Sequence, residues 1–120
     1  MSDEDGIRRA VASYSRLFDS KQWDELGKIF TEDASVSSRR GTFTGRAEVI
    51  RDLSSAMTAD YHWTLFISNT VITTDGDAAT ADSDFMEVED NKILAVGTYT
   101  DNLVRSGGSW QLAGKTIRLK

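Results

Sequence analysis

The chain has no cysteine, no proline and a single histidine, His62. Without cysteine there is no disulfide framework, no thiolate nucleophile and no cysteine-held metal. One histidine excludes a multi-histidine metal site, so no metal is expected. Without proline, Gly, Asp and Asn must make the turns. No run approaches the roughly 20 apolar residues of a membrane span, so no membrane partner is expected. Cations are also scarce. Lys and Arg total 14 against 19 Asp and Glu, a formal charge of −5. They cluster in nothing longer than a pair such as Arg39-Arg40, which argues against nucleic acid. The start MSDEDG is acidic and unlike a signal peptide, which points to the cytoplasm.

What is present is a long β-rich end. Ile93 to Lys120 reads as one β-run, a Ser-Gly-Gly-Ser turn and a second β-run. Gly107 and Gly108 can supply the positive φ angles a tight hairpin needs. Val, Thr, Tyr, Ile, Leu and Trp in its arms suit a half-buried pleated surface. A hairpin of this length twists and curls, and its concave side must be filled. The first half of the chain supplies the filling. Ile7, Ala10, Val11, Tyr14, Leu17 and Phe18 lie at steps of three and four, which predicts a helix over 7–18. Trp23, Leu26, Ile29 and Phe30 give a second helix, with Asp24 and Glu25 in its first turn. Ala34 to Ser38 and Thr42 to Thr44 read as two short strands, and Arg46 to Met57 as a third helix. Tyr61 to Thr74 and Ala78 to Glu89 read as strands joined at Asp75-Gly76-Asp77. The order α-α-β-β-α-β-β-β-β is an α+β layout with helices on one face of a curved sheet. No linker or repeat divides it, so residues 1–120 are expected to be one domain.

Four segments resemble the SnoaL-like branch of the NTF2-like superfamily. They are Tyr14 through Asp19 and Trp23 to Leu26, Ile29-Phe30-Thr31-Glu32-Asp33-Ala34, Asn69 through Asp75-Gly76-Asp77-Ala78-Ala79, and Gly97-Thr98-Tyr99-Thr100-Asp101 continuing to Trp110. That branch includes hexachlorocyclohexane dehydrochlorinase, scytalone dehydratase and polyketide cyclases. The resemblance implies a cone-shaped α+β barrel, about three N-terminal helices packed in a curved, mostly antiparallel sheet, with a pocket at the wide end. It implies chemistry done by side chains, with no cofactor. It also implies a homodimer or homotrimer formed through the sheet, whose convex face would carry Thr98, Thr100, Asn102 and Trp110.

The resemblance and the local patterns together nominate site residues. Asp19 is either a pocket carboxylate, with a raised pKa and a role as base, or a helix-ending Asp. The family places a base histidine early in the first long strand, where this chain has Leu65; His62 stands about three residues earlier. Lys115 is either a pocket cation or a surface lysine, expected to share a face with Gln111, Ala113 and Ile117. Tyr14 and Tyr99 are either hydroxyl donors to a substrate oxygen or core aromatics. Asn69 is either a pocket amide or a structural one. Glu87 ends the inward row Ala79, Ala81, Ser83, Phe85, and reads as an acid or base opposite Asp19 or as a solvated strand end. Small residues on that row, with Ala95 and Gly97, either leave room or let the helices pack closely. Phe18, Trp23, Val36, Leu65, Ile67, Phe85 and Leu103 are expected to line the resulting space.

The function these features favour is a cofactor-independent lyase, isomerase or cyclase acting on a hydrophobic carbonyl-bearing or polycyclic small molecule. Asp19, Lys115 and Tyr14 would be its catalytic groups. The alternative is a non-catalytic protein that binds such a molecule.

Overall fold

The apolar stripe of the N-terminal segment winds into α1 (Asp3–Asp19), burying Ile7, Ala10, Val11, Tyr14 and Phe18. The helix starts four residues before the expected position. The Ser2 side chain caps it by accepting the Asp5 N–H at 3.1 Å, and Asp3, Glu4 and Asp5 complement its positive end. The computed structural model describes residues 2–57 and 60–120. Helix α2 (Trp23–Lys28) is shorter than the periodicity suggested. Phe30 leaves it to open strand β1 (Phe30–Ser38), where it is fully buried. Tertiary burial of one aromatic thus overrides a helical spacing. Strand β2 (Gly41–Thr44) and helix α3 (Arg46–Ala56) follow. Four long strands complete the chain: β3 (Thr64–Asp75), β4 (Ala78–Glu89), β5 (Lys92–Ser106) and β6 (Ser109–Leu119).

The six strands form one sheet in the order β2-β1-β6-β5-β4-β3. All pairings are antiparallel except β1 with β6, which runs parallel and joins the early strands to the late meander. This is the α+β architecture the element order predicts. The turns use positive φ as expected. Gly107 and Gly108 lie at 60° and 84°, and Asp90 and Asn91 at 53° and 62°.

Four register shifts interrupt the pairing, and such bulges bend strands and re-aim side chains. The one opposite Asn102/Leu103 falls at Ala113. It turns Trp110 and Leu112 inward with Lys115, whereas strict alternation had put Gln111 and Ala113 there. Trp110 is accordingly a core residue, 8% exposed, and not part of the convex face. A second shift lies at Asn69, whose φ of 55° is left-handed.

The concave side holds one continuous core built from α1, α2, α3 and the inward strand positions. Ala79, Ala81 and Ser83 are buried within it. That part of the small-residue row is packed, whereas Ala95 borders a cavity. Gly97 serves the core differently. A Cβ there would lie 2.2 Å from the Arg118 carbonyl oxygen and 2.6 Å from Phe85 Cε1. The missing side chain is replaced by the Phe85 ring, which stacks on Tyr99 at 4.2 Å between centroids. Among the described residues no helix is long and apolar enough to cross a membrane.

Candidate active site

The wide end of the curved sheet encloses a cavity of about 290 Å³. That is close to the lower end of small-molecule sites. Its apolar wall comes from Phe18 of α1, Leu53 and Ala56 of α3, Trp63, and Phe85, Ala95, Ile117 and Leu119 of the sheet. Its polar groups are few: Tyr14, Tyr99, Glu87, and Ser38, Arg39 and Arg40 from the end of β1 and its turn.

Glu87 arrives there by alternation along β4, one step beyond Phe85. Burial raises its pKa, the Arg40 guanidinium opposes that rise, and the Asp19 carboxylate adds to it. The cavity thus holds a carboxyl group that gains a proton more readily than one in water. Tyr14 and Tyr99 are 1% and 2% exposed. Their rings meet edge to face at 5.8 Å. Burial first, and the negative charges of Asp101 and Glu87 with it, keep both phenols protonated, and the two side chains are hydrogen-bonded to one another.

Arg40 stands at the cavity because α3 holds it. Its Nε donates to Asp52 Oδ1 at 2.8 Å and its Nη2 donates to Asp52 Oδ2 at 3.0 Å, while the Asp52 side chain is 4% exposed. This is a bidentate pair that fixes the guanidinium plane.

Lys115 lies behind the two tyrosines and is not on the cavity wall. Its side chain is wholly inaccessible, and its ammonium sits 4.0 Å from the Tyr14 ring centroid and 3.7 Å from that of Tyr99. Nζ donates to Asp101 Oδ1 at 2.9 Å. Burial lowers the Lys115 pKa and Asp101 works against that.

Asp19 is not on the cavity wall either. It borders a separate hollow between α1 and β3, with Ser15, Arg16 and Leu65. Its Oδ1 accepts the Leu65 N–H at 2.8 Å, and the Ser15 hydroxyl donates to the Leu65 carbonyl. These two bonds satisfy the Leu65 groups on the open edge of β3. Burial pushes the Asp19 pKa up to about 6, against the Leu65 amide and Arg16.

Of the residues the sequence nominated, the structure brings Tyr14, Phe18, Phe85, Glu87 and Tyr99 together around one space. It leaves the others outside. Val36, Leu65 and Leu103 are core residues. Trp23 packs edge-on against Phe18 at 5.8 Å. Ile67 borders the hollows on the α1 side. Asn69 is exposed in its bulge and donates from Nδ2 to Asp84 Oδ2 at 2.8 Å. His62 is exposed, and its backbone N–H is bonded to Glu89. Sequence reasoning did not nominate Arg40, Trp63, Leu53, Ala56, Ile117 or Leu119. Arg40 had a weak signal, the Arg39-Arg40 pair, but its partner Asp52 is only a helix charge in the sequence. Asp101 had one too, since Gly97, Tyr99 and Asp101 step by twos along one inward face. Among the described residues no group of three His, Cys, Asp or Glu could hold a metal ion.

The fold is thus an α+β sheet curved over helices, with a mostly apolar cavity and a few polar groups on its wall. The chain belongs to the SnoaL-like domain family, whose model matches residues 1–116. The uncharacterized protein Rv2910c of Mycobacterium tuberculosis (strain H37Rv) is 25% identical over 120 residues, covering 93% of this chain and 82% of that protein. Two solved structures from Novosphingobium aromaticivorans share the architecture. An NTF2-like protein with a cystatin-like fold superposes with a TM-score of 0.82 at 24% identity, covering 98% of this chain and 81% of its own. A candidate scytalone dehydratase superposes with a TM-score of 0.87 at 23% identity, covering 98% and 84%. At such identity these likenesses establish the NTF2-like fold and nothing finer.

Proposed function

We propose that this protein is a cofactor-independent enzyme of the lyase, isomerase or cyclase kind. Its substrate would be a hydrophobic, carbonyl-bearing small molecule bound in the cone cavity. The observation that carries this reading is Glu87, a half-buried carboxyl group on an apolar wall beside two neutral phenols. A carboxylate so placed removes a proton next to a carbonyl, and the Tyr14 and Tyr99 hydroxyls donate to the oxygen as it becomes an enolate. Arg40 faces the same space and offsets the charge on Glu87. The family resemblance had pointed to Asp19 as the base. Its engagement with the Leu65 amide favours Glu87 instead, with Asp19 as the anchor of the strand beside it.

The family membership and the similarity to a candidate scytalone dehydratase support catalysis in general terms. One observation favours the alternative, a non-catalytic binding protein. Leu65 occupies the place where the resemblance puts a base histidine, and it is buried apolar core.

Deuterium uptake at the carbon beside the carbonyl of a bicyclic ketone such as tetralone, followed by NMR, tests the proposal. The wild type should accelerate exchange. Glu87→Gln should lose about 100-fold or more of that acceleration while still binding the ketone. Binding without any acceleration in the wild type would select the binding-protein reading. Loss of exchange in Asp19→Asn, with Glu87→Gln fully active, would return the base to Asp19.

A further inference from the structure

The ion pair of Lys115 and Asp101 is the most deeply buried charge in the described structure, with both side chains at 0% exposure. The two residues face one another directly across β5 and β6. Their surroundings are apolar, including Leu103, Leu112 and Val36, all at 1% exposure or less. Asp101 uses only Oδ1; its Oδ2 is buried without a partner. Such a pair is a poor device for stability, because desolvation of two charges and an unsatisfied oxygen offsets their attraction. Apolar residues of similar size would hold this core at least as well. Its retention needs another reason.

The reason lies in what the ammonium touches. One of its three N–H groups goes to Asp101, and the cation lies against the faces of Tyr14 and Tyr99 at 4.0 and 3.7 Å. A desolvated cation–π contact holds a ring more firmly than packing alone. Both rings are the cavity's hydroxyl donors. A positive charge directly behind them strengthens their hydrogen bonds to any oxygen that carries negative charge. Asp101 keeps the ammonium in place and, with Glu87, keeps the phenols from ionising.

We infer that the Lys115–Asp101 pair is a positioning device for Tyr14 and Tyr99, and that it tunes the cavity to ligands presenting an enolic or phenolic oxygen. Lys115 is then a positioning residue and not a catalytic one. The inference rests on the cavity being the binding site, and it narrows the substrate class to molecules that enolise or already carry an acidic hydroxyl on an apolar ring system.

Fluorescence titration with naphthalene derivatives tests it. The probes are methoxynaphthalene, naphthol and a more acidic chlorinated naphthol. The wild type should bind the chlorinated naphthol about tenfold more tightly than the methoxy compound, and more tightly than naphthol itself. In Lys115→Met/Asp101→Leu, which removes both charges, this preference should fall to about twofold while methoxynaphthalene binding is kept. An unchanged preference in the folded double variant overturns the inference and leaves the pair structural. Tyr14→Phe/Tyr99→Phe keeps the pair but removes the donors and should lose the same preference. Retention of the preference there also overturns the inference, so the test holds even if the charge-free variant does not fold. Failure of the wild type to bind any of the probes would overturn the cavity reading itself, and this inference with it.

Discussion

Leu65 and Glu87 stand directly opposite one another on β3 and β4, while the backbone N–H and C=O of Leu65 turn away to Asp19 and Ser15 of α1. The two residues therefore form a non-hydrogen-bonded cross-strand pair, the closer of the two antiparallel arrangements. Leu65 is apolar, and the neighbouring strand supplies a carboxyl group beside it. The same geometry explains why Asp19 is present without reaching the cavity. It accepts the Leu65 N–H on the open side of an edge strand.

Asp19 should then act on stability in a way set by its charge and its bond. Asp19→Ala leaves the Leu65 N–H without its acceptor and should cost about 1–3 kcal/mol. Asp19→Asn keeps an acceptor and should cost less. The Leu65 amide should exchange faster with deuterium in the Ala variant, and equal protection would rule out the anchoring role. The pH dependence has a definite sign. The folded pKa is raised from 3.8 to about 6, so the folded state holds a proton that the unfolded chain releases. The stabilisation from this group is full below about pH 3.8, is lost as pH rises to about 6, and is flat above. Urea unfolding of Asp19→Asn should lack that decline.

Lys115 and Asp101 should be strongly coupled. Lys115→Met alone leaves Asp101 as a buried unpaired charge, and Asp101→Leu alone does the same to Lys115. Each should destabilise by about 3–5 kcal/mol. The double substitution should cost far less than the sum. A double-mutant cycle by chemical denaturation reads the difference, and additive losses would contradict the buried pair.

Gly97→Ala should be costly although the change is one methyl group. The new Cβ meets a backbone oxygen at 2.2 Å and an aromatic carbon at 2.6 Å. The expected loss is about 2–3 kcal/mol or more. Adding Phe85→Leu should restore only part of it, since the Arg118 carbonyl cannot retreat as a side chain can. Full rescue, measured as the thermal midpoint of the double variant, would mean the backbone contact is unimportant.

The exchange reaction proposed for Glu87 should rise with pH, because a base must be ionised. Burial places the midpoint above the ordinary glutamate value, and Arg40 restrains that displacement. Arg40→Gln should move the midpoint of the rate profile to still higher pH. A midpoint that stays put would show that Arg40 does not reach Glu87 electrostatically.

The sequence by itself determined the element order, the α+β class and the family. Helical spacing in α1, the turn residues at Asp75 to Asp77 and Gly107-Gly108, and period-two alternation along β4 are local features, and each survives into the structure. Alternation counted on the family's pattern put Phe85 and Glu87 inward, and the resemblance put Tyr14 and Tyr99 there. Three things depended on distant parts of the chain. Bulges shifted the faces of β6 and exposed Asn69, because an unpaired residue breaks alternation without any mark in composition. Burial made Lys115 a hidden partner of Asp101, because only the strand pairing sets an ammonium against a carboxylate 14 residues away. Chain crossing set Asp52 of α3 on Arg40 and Asp19 on the edge of β3, one charge brought to the cavity and the other kept from it. Local patterns fix the elements, and the tertiary structure decides where a bulge reverses a face and what each residue meets.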